Sequence, residues 1–174
     1  MLNRSLSVLV VGVISLGTAC AANHPAPAVR AAGVERIQCD GSTAESEAQL
    51  LRSMKVLDFE PIYSHVPTSN NNSEERVNGA KLLIRPPSGV SAEQLTRILQ
   101  CHSARVLLGQ VNPAAVPNDP YWLSDTWVDI DVKPEQGNFA VTLSADSVRT
   151  NLEVLGRAHS YADEHMLATD PGLP

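Results

Sequence analysis

The chain has 174 residues and is mildly acidic, with 19 acidic against 13 basic side chains and a formal net charge of −6. Its hydrophobic content of 43% is that of an ordinary globular protein, whereas aromatic residues are sparse at 4%. An acidic chain without a basic run is poorly suited to nucleic acid or anionic lipid headgroups as its main partner. No nucleic-acid partner is therefore predicted. The sequence has no Walker loop, H-E-x-x-H or C-x-x-C motif, and no cofactor is predicted.

The first residues have the pattern of an export signal. Arg4 supplies a positive charge, and residues 6–16 form an apolar run that is too short to span a membrane comfortably. Small residues follow and lead to Cys20. This order predicts a secretory signal peptide over residues 1–19. Its removal takes away one arginine and no acidic residue, so the net charge becomes −7.

The end of this segment, LGTAC, resembles the lipobox of bacterial lipoprotein precursors. In that family the cysteine after the cleavage point is lipidated and becomes the mature N-terminus. The match covers only the first twenty residues, and Gly17 stands where leucine is usual. The resemblance implies an exported protein, anchored in the cell envelope through a lipid on Cys20. The alternative is ordinary signal-peptidase cleavage around Ala19-Cys20-Ala21, followed by secretion.

Four segments are predicted along the chain. The Ala- and Pro-rich stretch over 20–33 has no apolar period and is interpreted as a tether between membrane and domain. Residues 34–168 are long enough for a single domain with its own core, and 169–174 are predicted to be a frayed tail. Cys39 and Cys101 remain as an even pair in an oxidising compartment, which predicts a disulfide. Two buried free thiols are the alternative.

The clearest helix runs over 91–106. Ser91 and Gln94 have capping-box spacing, and Val90 and Leu95 can form a hydrophobic staple. The helical stripe places His102 on the apolar side. A second helix with a similar opening is predicted over 144–162, capped by Ser144, with an apolar stripe at Val148, Leu152, Leu155, His159 and Ala162.

A third helix is predicted over 43–54, with Ser42 and Glu45 at capping-box spacing. Pro61 makes one of the strands an edge strand or a strand with a break. Three prolines mark a long loop over 108–123. Strands are predicted over 34–39, 56–66, 77–85, 127–132 and 138–143.

These elements predict an α+β fold: a two-layer sandwich with a mainly antiparallel sheet and helices on one face. The first six elements match the ferredoxin-like βαββαβ pattern, followed by an extra strand and helix. Another α+β topology with the same elements remains the alternative.

Three sets of residues are candidates for a site. His102, His159 and Asp163 could ligate a metal, since His159 and Asp163 lie one helical turn apart. The simpler interpretation of both histidines is a core position with a hydrogen-bond partner.

Asp129 and Asp131 share the polar face of one strand, at a separation near that of glycosidase carboxylate pairs, although any strand with one solvated face shows this pattern. Tyr121, Trp122 and Trp127 flank the Pro-rich loop and are candidates for partner contact, or for a lid folded on the core.

The first functional hypothesis is a non-catalytic envelope lipoprotein, or a secreted module, that binds an envelope protein or component. The second is a periplasmic metal-binding protein that uses the two histidines. The third is a hydrolase built on the paired aspartates.

Overall fold

The computed structural model describes residues 25–67 and 72–166. The predicted signal peptide, Cys20 and the tail over 169–174 lie outside these ranges. The described residues form four α-helices, one short 3-10 helix at Pro113–Ala115 and four strands. In chain order these are α1 Pro27–Gln38, α2 Ala44–Ser53, β1 Val56–Pro67, β2 Ser73–Ile84, α3 Ala92–Leu107, β3 Asp129–Glu135, β4 Asn138–Ser144 and α4 Val148–His165.

The strands form one sheet in the order β1-β2-β4-β3, and each neighbouring pair is antiparallel. Helix α4 packs over β1 and β2, and α3 packs over β3. Alternate strand residues face the helices because successive side chains point to opposite sides of a sheet. The predicted two-layer α+β fold is confirmed. Its core includes Leu82, Ile84, Leu95, Leu99, Val141, Leu143, Val154 and Tyr161.

The opposite face of the sheet is polar. Lys81 lies at its centre and pairs with Glu60 at 2.9 Å and with Glu135 at 3.3 Å. These two carboxylates, by hydrogen bonding to the ammonium group, raise the pKa of Lys81 above its usual value. A solvated face of this kind keeps the apolar residues of each strand on the helix side.

The β1–β2 hairpin extends beyond the rest of the sheet. Pairing of β2 with β4 ends at Ala80 and Leu143, whereas pairing with β1 continues to Ser73. Gly79 marks this point with a φ of 139°, and a Cβ there would lie 2.0 Å from the Leu143 carbonyl oxygen. A side chain at position 79 would therefore collide with β4.

The predicted strand over 34–39 is wrong, and the predicted tether over 20–33 is wrong from Pro27 onward. Residues 27–33 of the predicted tether and 34–38 of the predicted strand belong to α1. Proline at the first helical position suits a helix start, and alanine is the strongest helix former. The helix escaped detection because its apolar residues lie on both sides and produce no period. Its place is decided by packing against α3.

The ferredoxin-like arrangement is not confirmed. The observed order is α-α-β-β-α-β-β-α, and no pair of neighbouring strands in the described sheet is parallel. A ferredoxin-like βαβ unit needs a helical crossover between parallel strands. The first strand of that pattern is the end of α1, so the crossover does not form.

The sequence predicted the N-cap residue correctly for one of three helices. Ser91 accepts from the backbone N–H of Gln94 and caps α3 as predicted. Helix α2 is capped by Thr43, one residue after the predicted Ser42. Helix α4 is capped by Ser147, so the predicted cap at Ser144 is wrong: that residue ends β4. Within the described residues, no helix has the length and apolar character needed to cross a membrane.

Candidate functional site

The disulfide is the first site feature that the structure confirms. Cys39 and Cys101 are bonded, with their Cα atoms 5.5 Å apart. Cys39 directly follows α1, and Cys101 lies in the middle of α3. The bond therefore fixes the end of the first helix to the central helix of the domain.

A buried ion pair lies close to this bond. Arg105 of α3 is 8% exposed and donates to Glu47 of α2 at 2.6 Å. The same guanidinium donates to the carbonyl oxygens of Cys39 and Ser42, each at 3.1 Å. Ser42 also donates its hydroxyl to Glu47 at 2.6 Å. These three acceptors of the Arg105 guanidinium allow its burial and join α1 and α2 to α3.

His102 is a core residue, as the simpler interpretation predicted. It is 1% exposed, and its Nε2 lies 2.6 Å from Oδ2 of Asp119. The other carboxylate oxygen of Asp119 accepts from the backbone N–H of Tyr121 at 2.9 Å. The side chain therefore links α3 to the Pro-rich loop and holds that loop in an Asx turn.

His159 does not occupy the core position that was predicted for it. Its side chain is 60% exposed and lies 3.2 Å from Asp163, with its ring edge-on to Phe59. The predicted convergence of His102 with these two residues does not form, because the buried histidine is already paired with Asp119. In the two described ranges, no group of three or more His, Cys, Asp or Glu side chains could hold a metal ion.

The two aspartates of β3 are each paired with a neighbouring cation. Asp129 forms an ion pair with Arg30 of α1, and Asp131 lies 2.7 Å from Lys133. Both carboxylates are partly exposed, at 45% and 56%. The two aspartates lie on one strand at the predicted spacing. Their partners lie in different elements, Arg30 in α1 and Lys133 in β3.

The candidate aromatic contacts are mostly internal. Tyr121 and Trp127 are 0% and 4% exposed and pack into the core, which is the arrangement that the alternative describes. Arg30 lies over the Trp127 ring at 4.9 Å, and Arg157 lies over the Trp122 ring at 5.0 Å. Trp122 is only partly buried and is the one of the three that reaches the surface.

Trp122 lines a groove of about 340 Å³, which we call the proline-loop groove. Its wall combines apolar and charged residues: Pro113, Ala114, Val116, Pro117, Asn118, Asp119, Trp122 and Arg157. Other surface grooves have similar volumes. This one is distinguished by its contact with the His102–Asp119 pair and by a buried Trp122 Nε1 that has no hydrogen-bond partner among the described residues.

The residue before Trp122 in the chain is buried in the core. Tyr121 packs edge-on against Tyr161 of α4, whose hydroxyl donates to the Leu51 carbonyl at 2.6 Å. Burial raises the pKa of both phenols, so both stay neutral in the folded protein. Arg157 donates to the Trp122 carbonyl at 3.0 Å and to Glu153 at 2.9 Å. A cleft of this size with an apolar wall and a few fixed polar groups is typical of a ligand or peptide site.

Two residues of this site were not identified from the sequence. Asp119 follows Pro117-Asn118, a combination that favours an Asx turn, and this was the available signal. Arg157 lies four residues after Glu153, which predicts a surface ion pair and gives no indication of a groove. Their meeting at the loop depends on the packing of α4 against the core.

The comparisons with known proteins add no identity to this geometry. The chain matched no family model, no curated protein and no solved structure.

Proposed function

We propose that the protein is an exported, non-catalytic module of the bacterial cell envelope that is anchored through a lipid on Cys20. The observation that carries the proposal is the Cys39–Cys101 disulfide. Disulfides of this kind persist in oxidising compartments, which supports export. The bond also uses both domain cysteines and leaves Cys20 as the odd one, directly after the signal-like segment.

A binding role is supported by how the charged candidates are used. His102 is paired with Asp119, Asp129 with Arg30, and Asp131 with Lys133, so each candidate acid or base has a protein partner. The proline-loop groove offers a preformed surface with an exposed apolar wall. We propose that this groove receives an extended segment of another envelope protein, because its volume and mixed wall suit a few peptide residues.

The anchor is tested by cell fractionation of the full chain. Cys20→Ser should move the protein from the membrane to the soluble fraction, since the lipid supplies the membrane affinity. Thr18→Ser is the matched control and should leave the protein with the membranes. An unmodified N-terminus beyond Cys20 in the mature wild-type protein would contradict the anchor and favour plain secretion.

The binding surface is tested by photocrosslinking in cells. A photoreactive residue at Ala114, exposed on the groove wall, should give a discrete crosslinked species. The control position is Lys133, exposed on the polar face of the sheet. Arg157→Glu should weaken the Ala114 product, because it replaces the cation of the groove wall by an anion. Equal products from both positions, or none from Ala114, would reject the groove as the binding surface.

A further inference from the structure

Helix α1 exposes an apolar face. Val29 and Ile37 are 65% and 71% exposed, the highest values among the exposed large hydrophobic side chains of the described residues. Gly33 lies between them at spacings of four, so the three positions follow one side of the helix over two turns. Ala28 and Ala32 are exposed beside them. The outer surface of α1 is therefore an apolar strip at the boundary of the domain.

The opposite face of α1 is already fixed to the domain. Ala31 is fully buried and packs in a cluster with Ala104 and Trp127. Arg30 pairs with Asp129 and lies over the Trp127 ring. Since these contacts use the inner face, the outer strip stays exposed in the folded chain. A helix that is apolar on both sides is typical of one that is covered on both sides.

A single cation stands in this strip. Arg36 is exposed and makes no hydrogen bond or ion pair with any residue of 25–67 or 72–166. A guanidinium pairs well with phosphate oxygens, and its aliphatic stem can lie along apolar surface while the head stays in a polar layer. The strip thus presents apolar side chains next to one unused phosphate-binding group.

The position of the strip in the chain identifies its occupant. Pro27, the first residue of α1, is seven residues after Cys20. Seven residues span at most about 25 Å. We infer that the outer face of α1 rests on the phospholipid surface in which Cys20 is anchored, with Val29 and Ile37 at the boundary between headgroups and acyl chains. This inference rests on the proposed lipid anchor.

The contact would give the anchored domain one orientation. The disulfide and the Arg30–Asp129 pair join α1 to the rest of the fold, so a helix lying on the membrane holds the whole domain. The mature net charge of −7 supplies no general attraction to anionic lipid. The strip therefore acts together with the anchor, which keeps it at high local concentration near the surface.

The test uses the full lipidated protein in phosphatidylcholine vesicles whose acyl chains carry bromine as a quencher. Single variants Val29→Cys, Ile37→Cys and Leu152→Cys receive the same fluorophore, and the native domain cysteines are protected by their bond. Leu152 is the matched control because it is an exposed apolar residue of α4, at 52%. We expect about threefold stronger quenching at the two α1 positions than at the control.

Each outcome decides between the two proposals. Strong quenching at Val29 and Ile37 that falls in an added Arg36→Glu variant supports the membrane contact. Equal, weak quenching at all three positions on vesicle-bound protein overturns the contact and leaves the anchor intact. If the α1 positions are shielded from solvent in the absence of vesicles and the protein sediments as a dimer, a second copy covers the strip. That result also overturns the membrane contact. Soluble wild-type protein in cells rejects the anchor itself.

Discussion

Helices α3 and α4 open with the same capping chemistry, and each carries a histidine that was predicted to face the core. In α3 that histidine, His102, is buried at 1% exposure beside Asp119. In α4 the corresponding residue, His159, has a side chain that is 60% exposed beside Asp163. The same local signals thus led to a buried pair in one helix and a solvated pair in the other.

The difference arises from how much of each helix the fold buries. Helix α3 buries the stripe that carries Leu95, Leu99 and His102, and it also buries Cys101, Ala104 and Arg105, which contact α1 and α2. Helix α4 has two adjacent strips, and the fold buries the one that carries Asn151, Val154, Ala158, Tyr161 and Ala162. Asn151 is polar but bonds both backbone groups of Ala145, at 2.6 and 3.0 Å. Val148 and Leu152, predicted as core, are 41% and 52% exposed.

The largest effect is expected from the bond that distinguishes α3. Replacing Cys39 and Cys101 by alanine opens a cross-link with a sequence separation of 62 residues. The chain-entropy model predicts a loss of about 4 kcal/mol in the free energy of unfolding. Urea denaturation of the oxidised wild type and the double variant measures it. A loss below about 1 kcal/mol would show that the hydrogen bonds of Arg105 to Cys39, Ser42 and Glu47 hold α1 and α2 in place without the disulfide.

His102→Ala tests the buried pair of α3. It removes the partner of a carboxylate that is 3% exposed, and the expected loss is about 3 kcal/mol. The double variant His102→Leu with Asp119→Leu removes both members of the pair and leaves only the Tyr121 N–H without its acceptor, so part of the loss should return. Denaturation of the wild type, His102→Leu, Asp119→Leu and their double variant gives the coupling energy. A coupling near zero would contradict a pairing role for His102.

Tyr161→Phe tests the buried strip of α4 and its dependence on pH. Removing the hydroxyl that donates to the Leu51 carbonyl should cost about 1 kcal/mol near neutral pH. Burial raises the pKa of Tyr161 above its ordinary value of about 10, so the stability from the neutral phenol is complete below that pH and is lost as the pH rises above it. Wild-type stability should therefore fall above about pH 10, and less steeply in the variant. Parallel pH profiles would contradict this.

The caps provide a matched comparison between the two helices. Ser91→Ala and Ser147→Ala each remove a hydroxyl that accepts from a backbone N–H of the first turn, at 3.2 Å in both cases. Each should lower the free energy of unfolding by about 1 kcal/mol. Ser144→Ala, at the cap position expected from the sequence, should change it by less than about 0.5 kcal/mol. Thermal unfolding of the three variants shows whether Ser147 or Ser144 caps α4.

His159→Ala should have the smallest effect. Its pair with Asp163 is solvated, and exposed pairs one helical turn apart contribute about 0.3 to 0.5 kcal/mol. The loss in the free energy of unfolding should stay within that range. It should be smaller in 1 M salt, because salt screens exposed charges. A loss comparable to that of His102→Ala would remove the distinction between the two helices.

Local chemistry alone determined much of this fold. The disulfide follows from counting cysteines, and α3 follows from one cap and one stripe. The hairpin of β3 and β4 follows from alternation of apolar and polar residues. These features are encoded within short windows, where spacing fixes which side chains share a face. The two-layer α+β class follows from the same patterns, since one-sided helices and strands must cover each other.

Only the tertiary structure decided the position of α1, the buried strip of α4 and the pairing of Arg105 with Glu47. In each case the sequence offers two acceptable sides. Helix α1 has apolar residues without a period, α4 has two adjacent apolar strips, and the acid that pairs with Arg105 is distant in sequence. None of these patterns indicates locally which side will be buried. Packing makes the choice, because a buried polar group is tolerated only where its partners come from elsewhere in the chain. The proline-loop groove depends on contacts of the same distant kind, since Asp119 bonds to His102 of α3 and Arg157 of α4 bonds to the Trp122 carbonyl.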